Sequence, residues 1–433
     1  MNVHDSEKLA GLLEREGYSR AESASDAGVI LLNTCSIREK AAEKVFSELG
    51  RLQIIKRARP DLILGVCGCV AQQEGERIFR RAPYVDFVIG PRATASLPKI
   101  LENLRSHGRK QAGQQLDLEQ RDDSIEFPFD EIRRTGGATG KAFVTVIEGC
   151  NHRCTYCIVP TTRGREICRD MDVVLDEVRS LREQNVIEIE FLGQTVNAYR
   201  DSRGRTLADL LLAAAKIDGL RRIRFTTSHP AQMTERLMDA MAEAGPVVCP
   251  YLHLPVQSGS SAVLKRMRRG YDRDGYLSKI DGLRRRIPGI SLGTDVIVGF
   301  PLETEAEFEE TLTLLDEVEY DTVYAFSYSK RPGTAALSLG SSPSETVGLE
   351  RLQHLLAHQA GIQKIRNRRW IGRETEVLVE SPSKMDPAKW SGRTPEHRVV
   401  NFPGSTEPGR LERVTVTGSS TFSLKGELSG SIA

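Results

Sequence analysis

Cys150, Cys154 and Cys157 stand in the stretch GCNHRCTYC (149–157), three of the chain's eight cysteines within eight positions. Thiolates are soft metal ligands and strong nucleophiles, so this density points to a metal or cluster site more than to packing. A structural zinc site takes four protein ligands, usually from a pair of CxxC-like knuckles. His152 and Cys168 are close enough in sequence to keep zinc open, but no fourth ligand stands at a matching spacing. Three thiolates in one short loop suit a cubane iron–sulfur cluster, which ordinarily has four ligands, and so leave one iron for a small chelating molecule.

Such a loop needs rigid elements to hold it. Between Lys141 and Arg331 six strand candidates, AFVTVIEG, IEIEFLG, RIRFTTS, YLHLPVQ, GTDVIVGF and TVYAFSYS, alternate with helical patterns such as MDVVLDEVRSLREQ. Successive βα units predict a parallel barrel or an open part of one, a partial (β/α)6 barrel, with its chemistry at the C-terminal strand ends. Cys150 follows the first of these strands directly. Upstream, GVILLNT (28–34), LILGVCG (62–68) and VDFVIG (85–90) alternate with helical patterns and predict a small flavodoxin-like α/β domain with a parallel sheet over residues 1–104. Asp5 and Ser6 are placed to cap a helix through Glu7–Gly17, with no strand before it. Residues 105–140 are polar and aperiodic and predict a linker. A helical stretch, 346–370, ends the central domain (141–370) in the basic run KIRNRRWIGR, and ETEVLVE, HRVVNF, ERVTVT and TFSLKGEL predict a small antiparallel β-barrel over 371–433.

At 433 residues and 39% hydrophobic the chain is an ordinary globular protein of several domains. Its charged N-terminus is not a signal peptide, and no apolar run would span a bilayer, so a cytoplasmic protein without membrane contact is expected. Thiols stay reduced there, which argues against disulfides. With 60 basic and 59 acidic residues any nucleic-acid surface must be local.

The spacing CxxxCxxC, with Tyr156 inside it, resembles the radical S-adenosylmethionine superfamily. CTYCIVPTTRGRE (154–166), FLGQTVNAY (191–199), TTSHP (226–230), LHLPVQSGS (252–260), DVIVGFPLETEAEFEETL (295–312) and FSYSKRPGTAA (326–336) are similar to its methylthiotransferase branch. So are NTCSIREKAAEKVFSELG (33–50) and VCGCVAQQEGE (66–76), and the last module resembles the RNA-binding TRAM domain. Among these enzymes MNVHDSE, TRGRE and HLPVQSGS look like the members that methylthiolate C2 of an N(6)-isopentenyladenosine beside the tRNA anticodon. The branches acting on threonylcarbamoyladenosine in tRNA or on an aspartate of a ribosomal protein remain alternatives, as does a non-catalytic zinc-stabilised RNA-binding protein.

The resemblance implies two 4Fe–4S clusters and two S-adenosylmethionine molecules. Cys150, Cys154 and Cys157 would hold the cluster that binds the cofactor, with Tyr156, Gly193 and Gln194 near it. Cys35 and Cys69 would hold the second cluster. The family's first ligand to that cluster precedes the MNVHDSE stretch, so this chain, beginning at Met1, is expected to cleave the cofactor but to transfer sulfur poorly; a late start assignment is the favoured explanation. Cys67, two positions from Cys69 on a strand, points to the opposite face. The implied partners are the anticodon stem-loop, an electron donor such as flavodoxin and a sulfur donor, acting on a monomer.

Other residues carry both bland and sharp readings. Cys168 and Cys249 fit buried packing. Gly193 and Gln194 suit a tight βα turn as well as cofactor contact, and His229 suits either a turn or the cavity. Arg163 and Arg165, beside the cysteine loop, are expected to meet phosphate or carboxylate. Lys364, Arg366, Arg368, Arg369 and Arg373 form a basic run suited to RNA phosphates.

Overall fold

The computed structural model describes residues 2–35, 41–120 and 140–431. They fall into two compact units. One holds the described residues up to 120 together with Glu148–His152 and Ile158–Ile167; the other holds the remainder, from residue 140 to the C-terminus.

In the first unit, strands Val29–Thr34, Ile63–Gly68, Phe87–Ile89 and Gln115–Asp117 form a four-stranded parallel sheet in chain order. The two middle strands are wholly buried, as apolar runs covered on both faces must be. Alternation separates two cores. Leu64, Val66 and Val88 face Val45, Leu49 and Ile78, while Ile63, Cys67, Phe87 and Ile89 face Leu9, Leu97 and Leu101. At Gly65 a Cβ would lie 2.1 Å from the Phe87 ring, so only glycine fits.

Two expectations change here. The first helix runs Asn2–Arg15, so Asp5 lies within it and is no cap. Asp5 is turned inward, where its carboxylate takes the guanidinium of buried Arg163, and Lys8 one turn later meets Glu148 at 3.2 Å. Burial raises the Asp5 pKa, and Arg163 and Lys8 together pull it down further, to a value below the ordinary one. Part of the predicted linker is also ordered. The helical segment Leu97–Ala112, kinked at Gly108 (φ 62°), continues past the buried Leu104 to Ala112, which packs against the same core, and Gln115–Asp117 adds the fourth strand. Apolar periodicity lapses there because Arg105–Gln111 is a polar run, so the sequence pattern does not show the helical turns on either side of Gly108. The rest of that stretch, residues 121–139, lies outside the described residues.

The second unit contains six parallel strands in two three-stranded sheets. Lys141–Thr145, Glu188–Leu192 and Arg222–Phe225 form one, and Tyr251–His253, Ser291–Val298 and Thr322–Ser327 the other. Helices between them are capped by Asp170, Thr234, Asp272 and Thr304. Ile189, Phe191, Ile223 and Phe225 join the helices in one large core. The alternate positions Glu188, Glu190, Arg222 and Arg224 are charged, and they are buried too.

Those charges seat the C-terminal module. After helix Glu345–Arg368, five strands close a barrel: Glu374–Pro382, Trp390–Arg393, Val399–Phe402, Leu411–Ser419 and Leu424–Ser431. Four were read from the sequence. Trp390–Arg393 was missed because WSGR carries a single apolar residue, and the Val400–Leu424 pair is parallel within an otherwise antiparallel barrel. Arg222 donates to the Glu376 carboxylate (2.8 Å) and the Arg393 carbonyl (2.9 Å). Arg224 donates to Glu188 (3.1 Å) and to the Thr394 and Pro395 carbonyls (2.7 and 2.8 Å). The His397 ring stacks on Tyr251 with centroids 4.5 Å apart. Burial first, then the cations of Arg393 and Arg224, push the His397 pKa well below its usual value, so the ring packs as a neutral one.

Arg224→Met removes the nearest of three cations around buried Glu188, leaving Lys141 (3.4 Å) and Arg222 (3.6 Å), and strips the Thr394 and Pro395 carbonyls of their donor; it is expected to destabilise the chain by about 1–3 kcal/mol, read by chemical denaturation. Asp5→Asn removes a carboxylate whose folded pKa is depressed. The stability it contributes is fully present above the unfolded value of about 3.9 and is lost as pH falls through the lower folded value. The difference between melting curves of parent and variant is therefore full at neutrality, begins to shrink only as pH falls below about 3.9, and closes once pH is below the depressed folded value.

Candidate functional site

The cysteine loop is held by backbone geometry on each side. Gly149 has φ 80°, and a Cβ there would meet the Arg165 carbonyl at 2.0 Å, so glycine is required one residue before Cys150. The Cys150 amide donates to the Gly164 carbonyl at 3.1 Å. Asn151 and Glu166 exchange bonds of 3.0–3.1 Å, with the Asn151 amide and side chain donating to the carboxylate. These residues belong to the first unit, whereas Cys154 and Cys157 belong to the second. There the Cys157 amide donates to the Cys154 carbonyl (3.1 Å), and Thr155 donates to the carbonyls of Met267 (3.1 Å) and Arg266 (3.0 Å). All three cysteines are half-buried, and no disulfide joins any of the eight cysteines. Among the described residues no group of three or more His, Cys, Asp or Glu side chains is arranged to hold a metal ion.

A guanidinium is aimed at this loop. Arg269, which the sequence reading passed over within RMRRGYDR, donates to the Cys154 sulfur and the Tyr156 hydroxyl, each at 3.3 Å. Tyr156 itself lies edge-on to Phe300 at 6.4 Å, and burial raises its phenol pKa well above the usual range.

The other cysteine pair lies in the first unit. Cys35 follows the first strand, and residues 36–40 beside it lie outside the described residues. Cys69 opens helix Cys69–Glu74, and its sulfur accepts from Arg163 Nε at 3.1 Å. Cys67 is wholly buried with Phe87 and Leu97, and burial drives its thiol pKa far up, away from ligation. Arg163 is thus corrected as a phosphate contact: it is 4% exposed and occupied by Asp5 and Cys69. Arg165 is exposed, and its carbonyl accepts from Arg92.

Gly193 follows its strand where a Cβ would lie 2.3 Å from the Ile147 side chain, so packing explains the glycine; Gln194 is half-buried. His229 is buried, and its Nδ1 accepts from the Ala231 amide at 3.2 Å, the turn role. Cys249 is buried, with its thiol pushed up to about 11. Cys168 is half-buried against the main core, and its sulfur accepts from the Arg200 amide at 3.4 Å.

The basic run divides. Arg366 is tied to Asp321 (2.7 Å) and Glu319 (3.3 Å), and Arg369 to Glu319 (3.0 Å). Lys364, Arg368 and Arg373 are exposed, the last over the Trp370 ring. Phe422, missed in the sequence because one aromatic in a strand pattern reads as core, is 74% exposed on the last barrel hairpin.

Comparison with known proteins agrees with this organisation. The radical SAM superfamily matches residues 144–315, Uncharacterized protein family UPF0004 residues 1–90 and the TRAM domain residues 368–429. The chain is 44% identical to the tRNA-2-methylthio-N(6)-dimethylallyladenosine synthase of Burkholderia thailandensis, over 99% of this chain and 94% of that one. It is likewise 44% identical to the synthase of that name from Moorella thermoacetica, over 99% and 96%. Among solved structures, the radical S-adenosylmethionine methyltransferase TsrM from Kitasatospora setae superposes with a TM-score of 0.56 at 15% identity, over 75% of this chain and 70% of that one. The cobalamin-dependent radical enzyme OxsB superposes at 0.53 and 13%, over 82% and 53%, and at such identities both likenesses concern the fold alone. With near-full coverage at 44% identity, the chain belongs to the tRNA-2-methylthio-N(6)-dimethylallyladenosine synthase family of radical S-adenosylmethionine enzymes.

Proposed function

We propose that this chain places a methylthio group on C2 of N(6)-isopentenyladenosine beside the anticodon of tRNA, with Cys150, Cys154 and Cys157 as the ligands of its cofactor-binding cluster and Cys35 and Cys69 as ligands of a second. The observation that carries the reading is the cysteine loop itself, three half-buried cysteines without disulfides, one of which receives a buried guanidinium. That donor set suits an anionic, thiolate-bound iron–sulfur group: soft ligands, and a cation in place beside them.

The C2 hydrogen of adenine is not acidic, and the ring carbon resists ordinary nucleophiles, so positioned acids and bases alone are insufficient. When bound, the clusters and S-adenosylmethionine supply the radical and methyl-transfer chemistry, which is theirs and not the protein's. The chain contributes placement. Gly149 and Thr155 fix the loop, Tyr156 and Phe300 wall it with apolar surface, and Arg269 orients the Cys154 sulfur. A reductant such as flavodoxin and a sulfur source complete the reaction, and a cytoplasmic monomer meets its needs; among the described residues no helix is long and apolar enough to cross a membrane.

RNA is held by the C-terminal barrel and the helix before it. Lys364, Arg368 and Arg373 are the exposed cations of the basic run that no carboxylate among the described residues neutralises, and Arg165 adds a cation beside the loop. An unpaired loop base is extruded at lower cost than a paired one, which suits an anticodon-loop substrate.

Oxygen-free reconstituted protein is expected to release 5′-deoxyadenosine on reduction with S-adenosylmethionine, and Cys154→Ala to abolish that release; unchanged release in the variant sinks the assignment. Replacing Lys364, Arg368 or Arg373 singly by Ala is expected to weaken binding of the stem-loop and to flatten the dependence of log affinity on log salt by about 0.7 for each single-strand phosphate left without its cation.

A further inference from the structure

Arg269 is a buried cation that meets no carboxylate among the described residues. It is 5% exposed, and its guanidinium donates to the Pro255 carbonyl (3.0 Å), the Tyr271 hydroxyl (2.9 Å), the Tyr156 hydroxyl (3.3 Å) and the Cys154 sulfur (3.3 Å). The face of the Tyr271 ring lies 5.4 Å from its central carbon. Other buried arginines of the same unit meet acids: Arg224 meets Glu188, and Arg351 meets Glu303. A guanidinium does not lose its proton in a protein, so burying one calls for a compensating anion. Carbonyls and phenols provide dipoles, and phenols ordinarily ionise near pH 10. Of the four groups that Arg269 reaches, the Cys154 sulfur is the one suited to a full negative charge at neutral pH, as a thiolate bound to metal.

We infer that Arg269 is a positioning residue for the cysteine loop: it holds the Cys154 sulfur as a ligand and, through its charge and its N–H···S bond, raises the reduction potential of the iron–sulfur group that this sulfur binds. The inference rests on the proposed function. The step it affects is the entry of one electron from an external low-potential reductant, such as a reduced flavoprotein. No bond to Arg269 forms or breaks and no proton moves; a negative charge is added beside a fixed cation and is stabilised by it. Hydrogen bonds to cluster sulfurs and net local charge are recognised determinants of such potentials. Tyr271 supports the geometry, since its hydroxyl accepts from Arg269 Nε and donates to the Val256 carbonyl at 2.9 Å.

The test is a redox titration of the anaerobically reconstituted full chain followed by electron paramagnetic resonance. The signal that changes on adding S-adenosylmethionine identifies the cluster with an open iron. In Arg269→Met that cluster is expected to retain the parent's iron content and to take up its electron with an equilibrium constant about tenfold lower, a midpoint about 59 mV more negative for a one-electron couple. Arg269→Lys, which keeps the charge but loses the planar fork, should shift in the same direction by less. A parent midpoint in an iron-replete Arg269→Met chain overturns the inference. If Arg269→Met does not fold, judged by its melting curve, Arg269→Lys decides, and a midpoint equal to the parent's overturns it. A parent chain with no S-adenosylmethionine-responsive signal would instead refute the functional reading itself.

Discussion

A segment that is neither helix nor strand, and that must present three thiols, has few backbone bonds of its own and has to be tied down from outside. In this chain the ties are specific. Gly149 bends where a side chain would strike the Arg165 carbonyl, the Cys150 amide reaches Gly164, and Thr155 reaches two carbonyls at the end of the helix Ser261–Arg266. Precision of this kind matters because ligands held by a loop are placed only as well as the loop's supports.

Buried charge is used in the same way at several places. Asp5 and Arg163 tie the first helix to the segment after the cysteine loop, and the same arginine donates to Cys69. Arg222 and Arg224, standing on the outer strand Arg222–Phe225 of its three-stranded sheet, hold the C-terminal barrel through backbone carbonyls as well as a carboxylate. Buried ion pairs add little net stability against apolar packing, but losing one partner is costly, so they make particular arrangements hard to exchange for others.

Much of this architecture was legible in the sequence because period reports burial. Six apolar runs separated by helical patterns gave the parallel strands, and turn-separated β-branched runs gave the C-terminal barrel. What escaped were elements whose residues do not advertise their environment. Gln115–Asp117 is a polar edge strand formed by pairing with Phe87–Ile89, distant in sequence, and Trp390–Arg393 is a short mixed strand held by antiparallel pairing on both sides and not by an apolar pattern of its own. Asp5 looked like a helix cap because acids favour that position, yet it is an interior partner of Arg163.

The sequence alone determined the cysteine chemistry, since the spacing of Cys150, Cys154 and Cys157 is a local property of eight residues, and it determined the order of domains through composition and period. Tertiary structure decided the rest of the site. Arg163, Arg366 and Arg369 read alike in one dimension as basic residues open to RNA, but folding gives each a carboxylate. Arg269 read as one more base in a basic run, and folding buries it against Cys154, 115 positions away, with dipoles and a sulfur around it instead. Charge is written in the sequence, whereas its neutralisation depends on which distant groups packing brings within a few ångströms, and on how much water is excluded when it does so.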